Sequence, residues 1–589
     1  MCGIAGIIMQ RGAPPPDPAI LQRMTQALHH RGPEGAGATI HGQTALAHTR
    51  LAIIDIATAD QPFFARSPQL DAALIANAEI YNFTELRAAM TDIAFTSQGD
   101  CEPALYLYLA DPAEYAEKLR GMYAIAIDDR NAGSLTLSRD PFGIKPLYIT
   151  TFADGVAFAS EPRALLEAGL AARRIRPAAR AALLQMQFCT GADTIFAGIQ
   201  RVLPGETLRI ENGHVAASRI RPALPPSGIE HITEDAALAR LDTALMQSVA
   251  LHLRSDVPMG MFLSGGIDSA AILACMARLD SRPLAFTAGF DVPGAADERA
   301  QAGTVARAAG ARHEAIEITE ADTLRHLPAI IACMDDPAAD YAIIPTWFLA
   351  RRARQDVKVV LSGEGGDEIF AGYGRYRRAN RPWWRGGRRM RARGSFDGLG
   401  VLRDAGIGWR AGLSAVEAAA LAGASRLQAA QAADIATWLP DDLLLKLDRC
   451  LMAHGVEGRT PFLDRGVAQA AWNLPDGLKL RHNQGKYLLR AWLAGALPEA
   501  RPFAPKQGFT VPVGAWIAKH GRHLGALVAA QPGIAEIADP AAVVRLFGAA
   551  AGKREGAASW ALLFYALWHS AHILGRPCDG DVFAVLAAG

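Results

Sequence analysis

Ser264-Gly265-Gly266-Ile267-Asp268-Ser269 is the stretch around which the chain is organised. The run before it, Val257 to Leu263, is short and mostly apolar, as in a buried strand entering a turn. The run after it, Ala270 to Ala277, holds no Gly or Pro and favours a helix. The polar hexapeptide therefore sits where a strand becomes a helix. Gly265 and Gly266 let the backbone approach a ligand closely. Ser264, Ser269 and the free N–H groups of the helix start suit phosphate oxygens. Asp268 would repel bare phosphate, and fits if it holds a divalent cation there. No Lys follows the glycines, so the pattern is not a Walker loop.

Outward from this point the pattern repeats. Leu284 to Phe290 reads as a second strand, Asp297 to Gly310 as its helix, and Val357 to Leu361 as a further buried strand. Strands alternating with helices predict a parallel sheet covered on both faces, with ligands at the strand ends. The strand ending at Leu361 runs into Ser362-Gly363-Glu364-Gly365-Gly366-Asp367-Glu368. Three carboxylates in a Gly-rich turn are costly to bury without cations or proton chemistry. A site facing the first loop is expected, with Asp268 and Asp367 sharing Mg²⁺ on a pyrophosphate and Glu364 as candidate acid or base.

These motifs resemble those of known enzymes. The first hexapeptide resembles the pyrophosphate loop of ATP pyrophosphatases. The second loop resembles the synthetase domain of the asparagine synthetase family. So do Leu447-Asp448-Arg449, the run Gly455 to Asp464, Gly485-Lys486-Tyr487-Leu488-Leu489-Arg490 and Lys506-Gln507-Gly508-Phe509. The resemblance implies that Leu263 and Ala288 meet the nucleotide by backbone. It implies that Ser264, Gly265, Gly266, Asp268, Ser269, Ser362 and Gly363 hold ATP. Lys486 would stabilise phosphate charge, and Glu364 would serve formation and amination of an acyl-adenylate.

The first third carries a second constellation. Cys2 becomes N-terminal if Met1 is removed, and then holds a thiol and an amine of pKa ~7.7–8.0 in one residue. That amine can act as base for the thiol. Short apolar runs recur at residues 45–48, 51–55, 72–77, 123–128 and 156–159 and read as strands; 21–29 and 84–90 read as helices. Met-Cys-Gly-Ile-Ala-Gly, His30-Arg31-Gly32-Pro33, Arg50 to Asp55, Asn77-Ala78-Glu79-Ile80-Tyr81-Asn82 and Asp140 to Tyr148 follow in order. This set resembles the class II glutamine amidotransferase domain, an N-terminal-nucleophile (Ntn) hydrolase. By that resemblance Cys2 attacks the glutamine amide, Arg50 pairs with the substrate carboxylate, and Asp100 pairs with its ammonium. Glu79 positions the substrate, and Asn77 with the N–H of Ala78 forms the oxyanion hole. Two residues depart from the family pattern: Ala78 where Gly is usual, and Glu34 where Asp is usual.

The fold expected is an α+β Ntn-hydrolase sandwich over 2–210, a Pro-rich linker over 211–232, and an α/β parallel-sheet ATP-pyrophosphatase domain (adenine nucleotide α-hydrolase-like) over 233–589 with a helical C-terminal part. A chain of 589 residues exceeds one core. Sixty basic against fifty-nine acidic residues leave no global steering toward nucleic acid or membrane. Seven scattered Cys without a C-x-x-C pair suggest neither a disulfide framework nor a zinc site, which fits the cytoplasm. The apolar run Trp560 to Trp568 is short for a membrane span and reads as a buried helix.

The resemblance implies a glutamine-hydrolysing enzyme that uses ATP and Mg²⁺ to convert aspartate to asparagine, ammonia passing between the sites. Amidation of another carboxylate, in a peptide, cell-wall precursor or secondary metabolite, stays open. A β-lactam-forming relative fits less well because the Cys2 constellation is intact. The Arg-rich segment 375–393, with Trp383 and Trp384, raises an RNA-binding or tRNA-modifying alternative, against which a solvated excursion is preferred. A regulatory protein with degenerate sites is disfavoured by Cys2, Asp268, Glu364 and Asp367. The oligomeric state, a homodimer among the options, is open.

Overall fold

The computed structural model describes residues 2–588 apart from 68–69, 293–296, 383, 385, 405, 407, 420–422 and 506–510. The motif Lys506 to Phe509 and Trp383 lie outside the described residues. The first part is two six-stranded antiparallel sheets. One places the strand Gly3–Met9 between Thr44–Arg50 and Gly155–Ala159. The other centres on Leu70–Ile80, Gly121–Asp129 and Ser134–Arg139. Ile4, Ile8, Ile75, Leu137 and Phe158 belong to one apolar cluster that joins the two sheets. Alternate residues of each strand supply that layer. Within the stretch expected as linker, His214–Ile220 forms the edge strand of the second sheet, paired with Glu206–Glu211.

The expected strand over 51–55 is absent. Thr44–Arg50 ends at Arg50, and Leu51 onward is loop. The guanidinium of Arg50 explains this: it donates to the carbonyls of Asp55 (2.6 Å) and Ile56 (3.0 Å), wrapping the segment around itself. Asp55 takes a left-handed backbone with φ 50°. The apolar side chains that suggest a strand instead pack on the second half of the chain, Leu51 and Ile53 clustering with Val359 and Met452.

The second part holds a five-stranded parallel sheet in the order Arg312–Ile318, Leu284–Phe290, Met259–Phe262, Val359–Leu361, Glu457–Arg459. The chain adds strands on one side of Met259–Phe262 and then on the other. The crevice of such a sheet opens where the order reverses, and here that places Leu263–Ser269 in it. The helix Ile267–Arg278 follows at once, capped by Gly266. The last third is mostly helical. Lys553–His572 is buried over most of its length, with Trp560 Nε1 donating to Ala339 O (2.6 Å) and Trp568 Nε1 to Met334 O (2.9 Å). Among the described residues no helix is long and apolar enough to cross a membrane.

Candidate active sites

The first site is a small pocket of about 30 Å³ lined by Cys2, Arg50, Ala78, Glu79 and Asp100 among others. The strand Gly3–Met9 begins beside Cys2, and Leu70–Ile80 delivers Asn77, Ala78 and Glu79. Asn77 Oδ1 accepts the backbone N–H of Cys2 at 3.1 Å. Its Nδ2 is buried without a hydrogen-bond partner, an arrangement that suits a donor awaiting an oxyanion. Asp100 Oδ2 accepts the N–H of Ile80 at 2.7 Å, and burial raises its carboxyl. Burial also raises the Cys2 thiol. Ala78 lies in the strand, paired with Tyr123, and is not among the residues of positive φ. Its methyl therefore meets no backbone strain. Glu34, the other departure, accepts the N–H of Ala52 (2.9 Å) and pairs with Lys358 Nζ (2.5 Å). Its carboxylate thus ties the two halves together.

The second site is a cavity of about 320 Å³. It brings together the ends of the strands Met259–Phe262, Leu284–Phe290 and Val359–Leu361, and with them Leu263, Ser264, Ser269, Ala288, Ser362, Gly363 and Glu364. Gly265, Gly266 and Lys486 line a neighbouring cavity of similar volume, and Ser264, Asp268 and Asp367 belong to both. Ser269 Oγ takes the N–H of Ser264 at 3.1 Å, closing the first loop. The two Gly-rich loops press together. A Cβ on Gly363 would stand 2.9 Å from that of Asp268, and Gly365 has φ 91°. Lys486, itself at φ 60°, places its ammonium between Asp268 and Asp367, 2.5 Å from Asp367 Oδ1. Two carboxylates converging on one cation are hard oxygen donors of the kind Mg²⁺ takes beside phosphates. The donor set fits the ion, although no group of three or more such ligands occurs among the described residues.

Glu364 stands 3.8 Å from Lys446 Nζ, which pairs with Asp340 at 3.1 Å. Burial raises the Glu364 carboxyl, and Asp340, Asp367 and Asp268 add to the effect against Lys446. Glu368, next along the loop, is pushed up to about 8 by burial and by Asp367. Sequence reasoning missed Lys446, Asp340 and Glu298, whose Oε2 accepts the N–H of Gly265 at 3.1 Å. Only the Asp-Glu pair at the start of the helix Arg299–Ala308 hinted at Glu298.

A model of the family described as asparagine synthase matches residues 240–570. The chain belongs to the asparagine synthase family. A model described as a glutamine amidotransferase domain matches residues 1–220. A Bacillus subtilis (strain 168) protein named asparagine synthetase [glutamine-hydrolyzing] 1 is 32% identical, over 98% of each chain. A Mycobacterium tuberculosis (strain H37Rv) protein bearing the provisional name asparagine synthetase [glutamine-hydrolyzing] is 35% identical over 97% of each. Asparagine synthetase B [glutamine-hydrolyzing] of Escherichia coli (strain K12) is 27% identical, over 84% of this chain and 79% of its own.

In this asparagine synthase family member, motifs far apart in sequence join across the two halves. Arg31 is fully buried; its Nε donates to Cys2 O (3.1 Å), and its Nη groups reach Glu161 (2.7 Å) and Asp448 (2.7 and 2.9 Å). Arg449 pairs with Asp335 at 2.7 Å. Glu457, from the parallel sheet, lines the Cys2 pocket. In the Arg-rich segment, Arg375 and Arg391 turn inward onto Asp434 (2.7 and 2.8 Å) and lie against the ring of Trp438. Those two arginines are structural, which removes them from any basic face offered to nucleic acid.

Proposed function

We propose that the protein is a glutamine-dependent asparagine synthetase. Cys2 Sγ attacks the side-chain amide carbon of glutamine, ammonia leaves, and water releases glutamate. The side-chain carboxylate of aspartate attacks the α-phosphorus of ATP, pyrophosphate leaves, and ammonia then displaces AMP to give asparagine. Free ammonium is not nucleophilic, so ammonia passes within the protein from one site to the other.

The observation that carries this reading is the convergence of two separate constellations, each at the ligand end of its own sheets. Cys2, Arg50, Ala78, Glu79 and Asp100 share one pocket. The two Gly-rich loops share another. Once Met1 is removed, the nitrogen that now donates to Asn77 Oδ1 is an α-amine beside the thiol, placed to take its proton. Arg50 and Asp100 receive the charged end of glutamine, and Glu79 orients it. Asn77 Nδ2 and the N–H of Ala78 hold the oxyanion. At the other site Ser264, Gly265, Gly266 and Ser269 take the pyrophosphate, Leu263 and Ala288 the nucleotide by backbone, and Ser362 and Gly363 the α-phosphate. Mg²⁺, held by Asp268 and Asp367, would neutralise phosphate charge. Lys486 is held between the same two carboxylates and donates to the phosphate oxygens. Glu364 handles the proton of the attacking ammonia.

Leu51 and Ile53 packed against Val359 and Met452 make the seam between the halves apolar, a lining that would suit uncharged ammonia. The glutaminase unit is 2–210 extended by the edge strand to 220, and the synthetase unit is 233–589. The seven free thiols fit the cytoplasm, and a homodimer is its proposed assembly. The test is Cys2→Ala. Glutamine-dependent synthesis should vanish while synthesis from ammonium salts persists; loss of both in a folded variant overturns the reading.

A further inference from the structure

One buried residue reaches both sites. Arg459 ends the outermost strand of the parallel sheet and is 0% exposed. Its guanidinium contacts Glu79 Oε2 (3.0 Å) through Nη2 and Glu457 Oε1 (2.7 Å) through Nε. Its Nη1 donates to the carbonyls of His252 (2.8 Å) and Arg254 (2.6 Å). Its own carbonyl accepts the N–H of Ser362 at 2.8 Å, at the mouth of the nucleotide cavity.

We infer that Arg459 is a positioning residue shared by the two sites, fixing Glu79 for glutamine through its side chain and Ser362 for ATP through its backbone. The inference rests on the glutamine-dependent reading above. A guanidinium has fixed donor directions and does not lose its proton in a protein. Nε is bonded to Glu457 and Nη1 to two carbonyls, so the fork cannot rotate and Nη2 is fixed against Glu79. Burial favours the protonated form of Glu79, and Arg459 opposes it. With Oε2 held, Glu79 Oε1 is left buried, without a hydrogen-bond partner, in a residue that lines the Cys2 pocket. An acceptor so placed fits the amide or ammonium protons of glutamine. The other end of the lever is the strand itself. Glu457–Arg459 pairs in register with Val359–Leu361, whose next residue is Ser362. Closure of the nucleotide loop on ATP therefore bears directly on the residue that holds Glu79.

The test uses full-length enzyme and the Arg459→Lys variant, which keeps the charge and the backbone contact but loses the fork. Losing the buried ion pair that holds Glu79 should raise the KM for glutamine by about tenfold to a hundredfold. In wild type, ATP with acceptor should change the KM for glutamine hydrolysis; in Arg459→Lys that response should be lost. Synthesis from ammonium salts reports folding of the variant. If Arg459→Lys fails to fold, Glu457→Gln, which weakens the brace on Nε, carries the same two measurements. A KM for glutamine that stays at the wild-type value overturns the inference, and so does wild-type glutamine hydrolysis indifferent to the nucleotide. Glutamine hydrolysis is read without any amide product, so a wrong acceptor assignment would appear separately, as absence of asparagine.

Discussion

Asn77 holds the nitrogen of Cys2 with its carbonyl oxygen, 3.1 Å away, and keeps its own Nδ2 buried without a partner. One amide thus faces two ways, toward the nitrogen of Cys2 and, in the proposed mechanism, toward the place where negative charge would develop. Asn77→Ala should lower kcat for glutamine hydrolysis by about 10²–10³, as for loss of one oxyanion donor. Steady-state glutamate release measures it, and a loss below threefold would place the oxyanion elsewhere.

Ala78 gives the opposite expectation. It lies in a regular strand without positive φ, so the N–H keeps the direction a glycine would give it. Ala78→Gly should leave glutamine turnover within about tenfold, or ~1.4 kcal/mol. A gain of a hundredfold would mean that the methyl obstructs the pocket.

Asp268 and Asp367 are drawn together by Lys486. Changing either to Asn should abolish pyrophosphate release with ATP and aspartate, while glutamine hydrolysis continues. Lys486→Met should do the same and should also drive the two carboxylates apart. Normal adenylation in any of the three would remove that residue from the site.

Glu364 is the acid on the cavity wall nearest Lys446. Glu364→Gln should still bind ATP, read by nucleotide protection against thermal unfolding, but form little asparagine. Wild-type turnover would end its assignment.

Acid should destabilise the fold through two histidines. Burial holds His48 down to about 3 and His252 down to about 4. Both stay neutral in the folded chain while the unfolded chain takes up protons near pH 6.5. Stability is therefore present above about pH 6.5 and falls as pH drops toward 4, by one proton per histidine. Thermal midpoints measured across that range should show the decline, and His252→Asn should flatten it.

The Gly-rich loops and Cys2 could be read from sequence because each motif is contiguous and sits beside a strand or helix of clear period. Three of the five parallel strands, Met259–Phe262, Leu284–Phe290 and Val359–Leu361, were legible for the same reason; Arg312–Ile318 mixes charged residues with apolar ones and Glu457–Arg459 is only three residues long, and neither stands out as a buried strand. The segment 51–55 misled because its apolar residues satisfy strand patterning, while the force that bends it, the Arg50 guanidinium on two carbonyls, is a tertiary one. Lys446 and Asp340 were invisible because they lie 106 residues apart and meet only in the fold. The same holds for Arg459 and Glu79, which belong to different sheets. Both motifs were quoted from the sequence, but nothing in either points to the other.

The buried pairing of Arg31 with Asp448 bears on how the chain can be taken apart. Each partner lies in a different half, and neither is exposed. Removing one member of such a pair strands the other charge in the interior, at a cost of about 3–5 kcal/mol. The fragment carrying Cys2, expressed alone, would keep Glu161 beside Arg31 but would lose Asp448 from Arg31 and Arg459 from Glu79. The N-terminal half is therefore not a portable module: grafted onto another synthetase, it would need a second carboxylate where Asp448 stands to complete the bracket that Glu161 begins around Arg31 and the Cys2 carbonyl.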